Sequence, residues 1–267
     1  DAKHLIFEGA LQAVGEGAER STAGVLVDEQ FGSTIPREAK EAGLQLAMPA
    51  ERSGQEMFEF EYGEEFGEHI LKFDPDFTKV LVRYNPDGDQ AENADQLSKL
   101  KVLSDWLKDH DRKFLFELLV PAEPSQLESV GGDTDRYDEE LRPELMRRAI
   151  EEIQDSGVEV DIWKIEGVDQ RSDCEMLAEQ TRRGGRDGVK CVVLGRGADD
   201  AKVDQWLTAA APVEGYIGFA IGRSIWWDPL KAYVDGKIER SEGARRIAEN
   251  YLRFISVYER AHTHAGA

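Results

Sequence analysis

The chain has 267 residues, 40% of them apolar and 33% charged, and a formal net charge of -21 at pH 7. This supplies one large core and a well-solvated surface, and the acidity argues against nucleic acid or an anionic membrane surface as partner. It does not exclude an anionic substrate, because a local arginine cluster outweighs the global field at short range.

The two cysteines, Cys174 and Cys191, form no CxxC pair, which fits a reducing cytoplasm and leaves no thiolate zinc site. No apolar run reaches the roughly 18 residues of a membrane span, and no signal peptide is legible. The chain begins at Asp1 rather than Met, which leaves room for a segment upstream.

Leu5, Ile6, Gly9 and Ala13 recur at helical spacing, so residues 2–14 read as an opening helix. An apolar strand at 24–29 ends in acids, Pro36 starts a helix to Ala42, and a strand at 44–47 follows. A helix at 64–73 leads to a strand at 78–84, and 91–109 is a long amphipathic helix. The alternation continues with strands at 113–120, 159–166, 189–194 and 215–221. Helices at 138–156, 173–183, 200–211 and 241–260 come between and after them.

Seven strands, each followed by a helix, with one helix in front, predict parallel strands and right-handed crossovers. A (β/α)8 TIM barrel whose first strand lies upstream of this chain, or is missing from it, accounts for both counts. Residues 1–267 read as a single domain. The alternative, an open doubly wound sheet, wants a glycine-rich phosphate turn after its first strand. Phe31-Gly32-Ser33 is not one, and Gly15-Glu16-Gly17 follows no strand.

The lysine strand is the most informative stretch. Strand alternation puts Ile162, Lys164 and Glu166 on one face and Trp163 and Ile165 on the other. A lysine inside a barrel either loses its proton, becoming a nucleophile for a carbonyl, or finds a partner. The plainer alternative is a lysine that snorkels at a strand end. In such barrels chemistry sits at the C-terminal strand ends. Here those ends offer Asp28-Glu29, Glu51-Arg52, Arg83, Glu117, Lys164 with Glu166, Arg196 and Arg223.

Glu117, inward on the strand beside Lys164, suits acid–base work, or else plugs the barrel as a salt bridge. Gly195-Arg196-Gly197 and Gly222-Arg223 end the last two strands, where such barrels often bind phosphate through backbone N–H groups and a helix N-terminus. The connection 121–138 carries Gly131-Gly132 and reads as a lid or as a plainly flexible loop. No histidine falls at a strand end, so histidine catalysis and histidine-bound metal are not expected, and Trp226-Trp227 reads as packing.

Together these residues resemble the class I, lysine-dependent tagatose-bisphosphate aldolase family, near the aldolase-like barrel fused to the sugar kinase of bacterial inositol catabolism. The resemblance is carried by residues 27–32, 79–87, 114–117, 161–166 and 222–226. It implies a Schiff base at Lys164 with Glu117 moving the proton, substrate contacts from Asp28, Lys79 and Glu166, and phosphate contacts near Gly197 and Arg223. Arg83, at its strand end, joins the substrate-binding candidates, and Arg196 and Gly222 join the phosphate set.

Two features depart from that family. Its first strand, with an aspartate and an arginine, is not in this chain, and its serine after strand seven is replaced by Gly195-Arg196-Gly197.

The expected activity is that of a cytoplasmic lyase without metal or other cofactor, cleaving a phosphorylated ketose or keto-sugar acid to dihydroxyacetone phosphate, or a similar ketone, and an aldehyde. The expected partner is a small sugar phosphate, with self-association into a homo-oligomer left open. A non-catalytic barrel that binds a sugar phosphate as a sensor or subunit is the alternative. Burial, Lys79 and Arg83 push Lys164 toward the neutral amine, and Glu117 and Glu166 push it back. Sequence alone does not say which side wins.

Overall fold

A helix, α1 (Ala2–Gly15), precedes the first strand in this computed structural model, which describes residues 2–30, 32 and 34–264. There follow β1 (Gly24–Leu26), α2 (Ile35–Glu41), β2 (Gln45–Pro49), α3 (Phe66–Phe73), β3 (Phe77–Arg83), α4 (Gln90–Asp109) and β4 (Lys113–Leu119). Short helices α5 (Pro124–Ser129) and α6 (Thr134–Arg136) lead into α7 (Arg142–Asp155), β5 (Ile162–Glu166) and α8 (Arg171–Arg182). The chain closes with β6 (Lys190–Leu194), α9 (Asp200–Ala210), β7 (Tyr216–Ala220), α10 (Arg223–Val234) and α11 (Arg240–His264).

The strands form one curled, wholly parallel sheet in the order β1 to β7, a half-barrel of the TIM type. Neighbours in sequence are neighbours in the sheet, as successive right-handed βα units require. Alternation fixes the two faces. Val80 and Val82, Phe114, Phe116 and Leu118, Trp163 and Ile165, and Cys191 and Val193 are buried in the main core cluster. The Phe116 and Trp163 rings meet there at 4.9 Å. On the other face, Leu81, Leu115, Ile162 and Val192 are only half-buried, and the charged residues stand among them.

Among the described residues no strand joins β1 to β7. The edge residues Leu26 and Ile217 are 47% and 54% exposed, so the barrel is not closed there. Nearby, α1 lies directly on α11: a Cβ on Gly9 would sit 2.5 Å from Ile247 Cγ2, so only glycine permits this approach.

Three local expectations change. The connection after β4 is not a bare loop but carries α5, α6 and a π turn, Tyr137–Leu141, so the following helix starts at Arg142 rather than at 138. The lysine strand starts at Ile162, three residues after position 159 where it was expected. The third change is α10, an unforeseen helix that contains Pro229. Proline has no N–H for the Ile225 carbonyl one turn back, and Asn250 of α11 donates to that carbonyl instead at 2.8 Å. Trp226 packs against the core, while Trp227 is 51% exposed. Phe31 and Ser33, expected to belong to the turn after the first strand, lie outside the described residues.

Candidate active site

The parallel register sets Glu117 of β4 directly opposite Lys164 of β5, and Leu81 of β3 opposite Glu117. Lys79 lies one pleat earlier on β3, and its long side chain reaches up the concave face. The result is a buried row of alternating charge. Glu51 Oε1 lies 2.5 Å from Lys79 Nζ, Lys79 Nζ lies 3.0 Å from Glu117 Oε2, and Glu117 Oε1 lies 3.0 Å from Lys164 Nζ.

Burial dominates the Lys164 balance and, with the Lys79 cation, pulls its pKa below the usual lysine value against the opposing pull of Glu117. Burial also works against the Lys79 ammonium, but the carboxylates of Glu51 and Glu117 outweigh it and hold Lys79 cationic. For Glu117, burial favours the acid, yet the two lysines prevail and keep it a carboxylate. Burial pushes the Glu51 carboxyl up in spite of Lys79. Two acids and two bases thus balance along the row, and burial works against the charge of both outer groups. That arrangement leaves no net charge in a desolvated row.

A second network closes the other side. Glu166 Oε2 accepts the Val120 N–H at 2.9 Å, and Glu166 Oε1 lies 3.0 Å from Arg196 Nε. Arg196 also pairs with Asp138 at 2.6 Å, and the buried Arg142 pairs with Asp138 at 2.9 Å and with Glu166 at 3.8 Å. Burial still pushes the Glu166 carboxyl up, with both arginines opposing.

The turn after β6 is left-handed at Arg196 (φ 50°) and at Gly197 (φ 76°). Arg223, the first residue of α10, donates from Nη2 to the Arg196 carbonyl at 3.2 Å and, among the described residues, makes no ion pair. A Cβ at Gly197 would fall 2.8 Å from that guanidinium. The start of α10, the Gly197 turn and Arg223 thus share one corner, where backbone N–H groups and a guanidinium lie side by side.

The candidates therefore divide between two cavities. One of about 630 Å³ is lined by Arg83, Glu117, Lys164, Glu166, Arg196, Gly197, Gly222 and Arg223, with Tyr137 and Asp138 of the folded segment beside them. Asp28 and Lys79 line a second, of about 370 Å³, together with Glu51. Asp28 is thus not gathered with the others, and it pairs with Lys3 of α1. Arg83 is exposed and donates to the Gln55 carbonyl at 2.9 Å.

The family described as "Uncharacterized protein conserved in bacteria (DUF2090)" matches residues 1–262. The chain belongs to this family. No curated protein sequence matches it.

Among solved structures, the YdjI aldolase of Escherichia coli K12 is similar to this DUF2090 member over 95% of the chain and 87% of its own, at 14% identity and a TM-score of 0.58. An archaeal fructose 1,6-bisphosphate aldolase is similar over 94% of this chain and 83% of its own, at 14% identity and a TM-score of 0.57. A Schiff base-forming fructose-1,6-bisphosphate aldolase covers 90% and 98% respectively, at 14% identity and a TM-score of 0.53. At this identity the likeness establishes a shared TIM-barrel-like fold, here a half-barrel. Among the described residues, no helix of the DUF2090 chain is long and apolar enough to cross a membrane.

Three members of the charged networks, Glu51, Asp138 and Arg142, escaped the sequence reading as site residues. Glu51 was visible only as an acid past a strand end, and what places it is an antiparallel bridge to Phe60. Asp138 was assigned to a helix start, and the π turn instead turns it toward Arg196.

Proposed function

We propose that this DUF2090 protein is a class I aldolase that cleaves a phosphorylated ketose or keto-sugar acid through a Schiff base at Lys164. The observation that carries this reading is the buried Lys164 amine, pulled toward its neutral form and set 3.0 Å from the Glu117 carboxylate. In the forward reaction Lys164 Nζ attacks the ketone carbon, and loss of water gives a protonated imine. Glu117 takes the proton of the hydroxyl two carbons further along the chain, and the bond between that hydroxyl's carbon and the carbon next to the imine breaks. Its electron pair moves into the imine to form an enamine while the aldehyde departs. Protonation at carbon and hydrolysis then release the ketone and restore Lys164. Lys79, held cationic between two carboxylates, keeps Glu117 ionised and ready to accept the proton.

The test is borohydride reduction of the protein with dihydroxyacetone phosphate, followed by mass spectrometry of its peptides. One stable adduct, on Lys164, is the expected result. No adduct with this ketone phosphate would remove the aldolase reading and leave the binding barrel.

The phosphate is assigned to the corner between Gly197, Gly222 and Arg223. Loss of a charge-assisted bidentate contact forfeits about 1.5–3 kcal/mol. Arg223→Ala is therefore expected to raise KM for a phosphorylated ketone about ten- to hundredfold. Its melting temperature should stay near that of the wild type, because the side chain is exposed. An unchanged KM would move the phosphate elsewhere.

A further inference from the structure

The buried row ends at Glu51, whose Oε1 serves Lys79 and whose Oε2 the mechanism above leaves unused. The hairpin that follows β2 holds it rigidly: the Ala50 N–H donates to the Lys79 carbonyl at 2.9 Å and the Arg52 N–H to the Glu59 carbonyl at 2.9 Å. Its side chain is 10% exposed, Oε1 meets Lys79, and Oε2 is buried with no hydrogen-bond partner among the described residues. A buried carboxyl oxygen left without a partner is costly, and folding alone gives no reason to retain it.

Glu51 and Lys79 line the smaller cavity, whereas Glu117 and Lys164 line the larger. The row thus runs from the lining of one chamber to the lining of the other, and their charge differs. The larger holds Arg83, Arg196 and Arg223 besides Lys164. The smaller holds the carboxyl groups of Asp28, Glu29, Glu51 and Glu61, and its cations are committed. Lys79 serves Glu51 and Glu117, Lys3 pairs with Asp28, and His69 lies 2.5 Å from Glu29.

We propose that the smaller chamber receives the aldehyde half of the substrate, that this half is an uncharged, hydroxylated fragment, and that Glu51 selects it by hydrogen bonding to a hydroxyl. The inference rests on the aldolase reading and adds the class of aldehyde. A phosphate or carboxylate brought there would meet the carboxylates of Asp28, Glu29 and Glu61 and, among the described residues, no cation that is not already paired, so it would find no charged partner. A hydroxyl instead supplies the partner that Oε2 lacks. Because burial pushes the Glu51 carboxyl up, it holds a proton more readily than an ordinary carboxyl and can donate as well as accept. About 370 Å³ gives room for a short polyol, near the lower end of ligand clefts.

The test runs the reaction in the condensing direction, with dihydroxyacetone phosphate and either glyceraldehyde or glyceraldehyde 3-phosphate. Wild-type kcat/KM is expected to favour the uncharged aldehyde about tenfold or more. Glu51→Leu should raise KM for glyceraldehyde about tenfold, and Glu51→Gln, which keeps hydrogen-bonding capacity, should recover most of that loss. Borohydride trapping with dihydroxyacetone phosphate alone needs no aldehyde and so separates the two claims. A Lys164 adduct together with equal or better use of glyceraldehyde 3-phosphate overturns the inference and spares the aldolase reading. An unchanged aldehyde KM in both Glu51 variants does the same. Failure to form the adduct overturns both.

Discussion

Lys164→Met is expected to abolish the borohydride adduct and to lower turnover by at least about a thousandfold, because Lys79, the other amine of the row, is held as an ammonium by its carboxylates. Lys164→Arg should behave alike in chemistry, since arginine keeps the charge but forms no imine. The two variants part company in stability. Removing Lys164 leaves Glu117 with Lys79, so no buried charge is orphaned, and methionine fills an apolar strand position.

The sign of the pH dependence follows from the depressed pKa of Lys164. Between its folded value and 10.5 the unfolded chain binds the extra proton, so wild-type stability rises with pH across that window. Below the window the full penalty of the buried ammonium is present. Lys164→Met is therefore expected to gain on the order of 1 kcal/mol or more at pH 6, and less near pH 10. Urea denaturation at the two pH values measures the difference, and the activity profile provides a second check. Wild-type kcat/KM should climb with pH as Lys164 loses its proton, with a midpoint below 10.5. A gain in the methionine variant that grows toward alkaline pH would contradict a depressed Lys164.

The parts of the molecule legible in the sequence are those governed by short-range periodicity. Alternation at Trp163, Lys164 and Ile165 set the lysine on the concave face. The repeated βα unit made β4 and β5 neighbours, which brought Glu117 to it. What escaped depends on contacts that no period encodes. A proline within Arg223–Val234 argues against a helix until Asn250, on another element, satisfies the Ile225 carbonyl. Arg196 looked like a phosphate fork, yet it is already held by Glu166 and by Asp138 from a segment that read as a loop or lid. The protonation of Lys164 was undecidable from sequence for a similar reason. It turns on Lys79 being kept cationic by a second carboxylate, Glu51, which arrives on a hairpin.

Glu117 variants test the centre of the row. Glu117→Leu removes the carboxylate that faces both lysines, each within 3.0 Å of it, and leaves Lys164 with no counter-charge in contact. Breaking a buried pair from one side typically costs about 3–5 kcal/mol, so a lower melting temperature is expected. Glu117→Gln keeps the shape and two polar atoms and should lose less.

Either change removes the proton acceptor, and kcat should fall about 10²- to 10⁴-fold. The imine itself is spared, since losing Glu117 takes away the group that favours the Lys164 ammonium, and the amine becomes more neutral still. Both variants should therefore retain the borohydride adduct while losing turnover, whereas the Lys164 variants lose both.

Linkage gives a further signature. The Glu117 pKa is lowered in the fold, so its contribution is fully present above 4.5 and is lost as pH falls through the folded value. The Glu117 contribution to the stability gap between wild type and Glu117→Gln should therefore close on acidification below about pH 5. A Glu117→Gln protein with unimpaired kcat would transfer the proton-moving role to another group, and a gap that widens in acid would mean that Glu117 is not the ionised partner of these lysines.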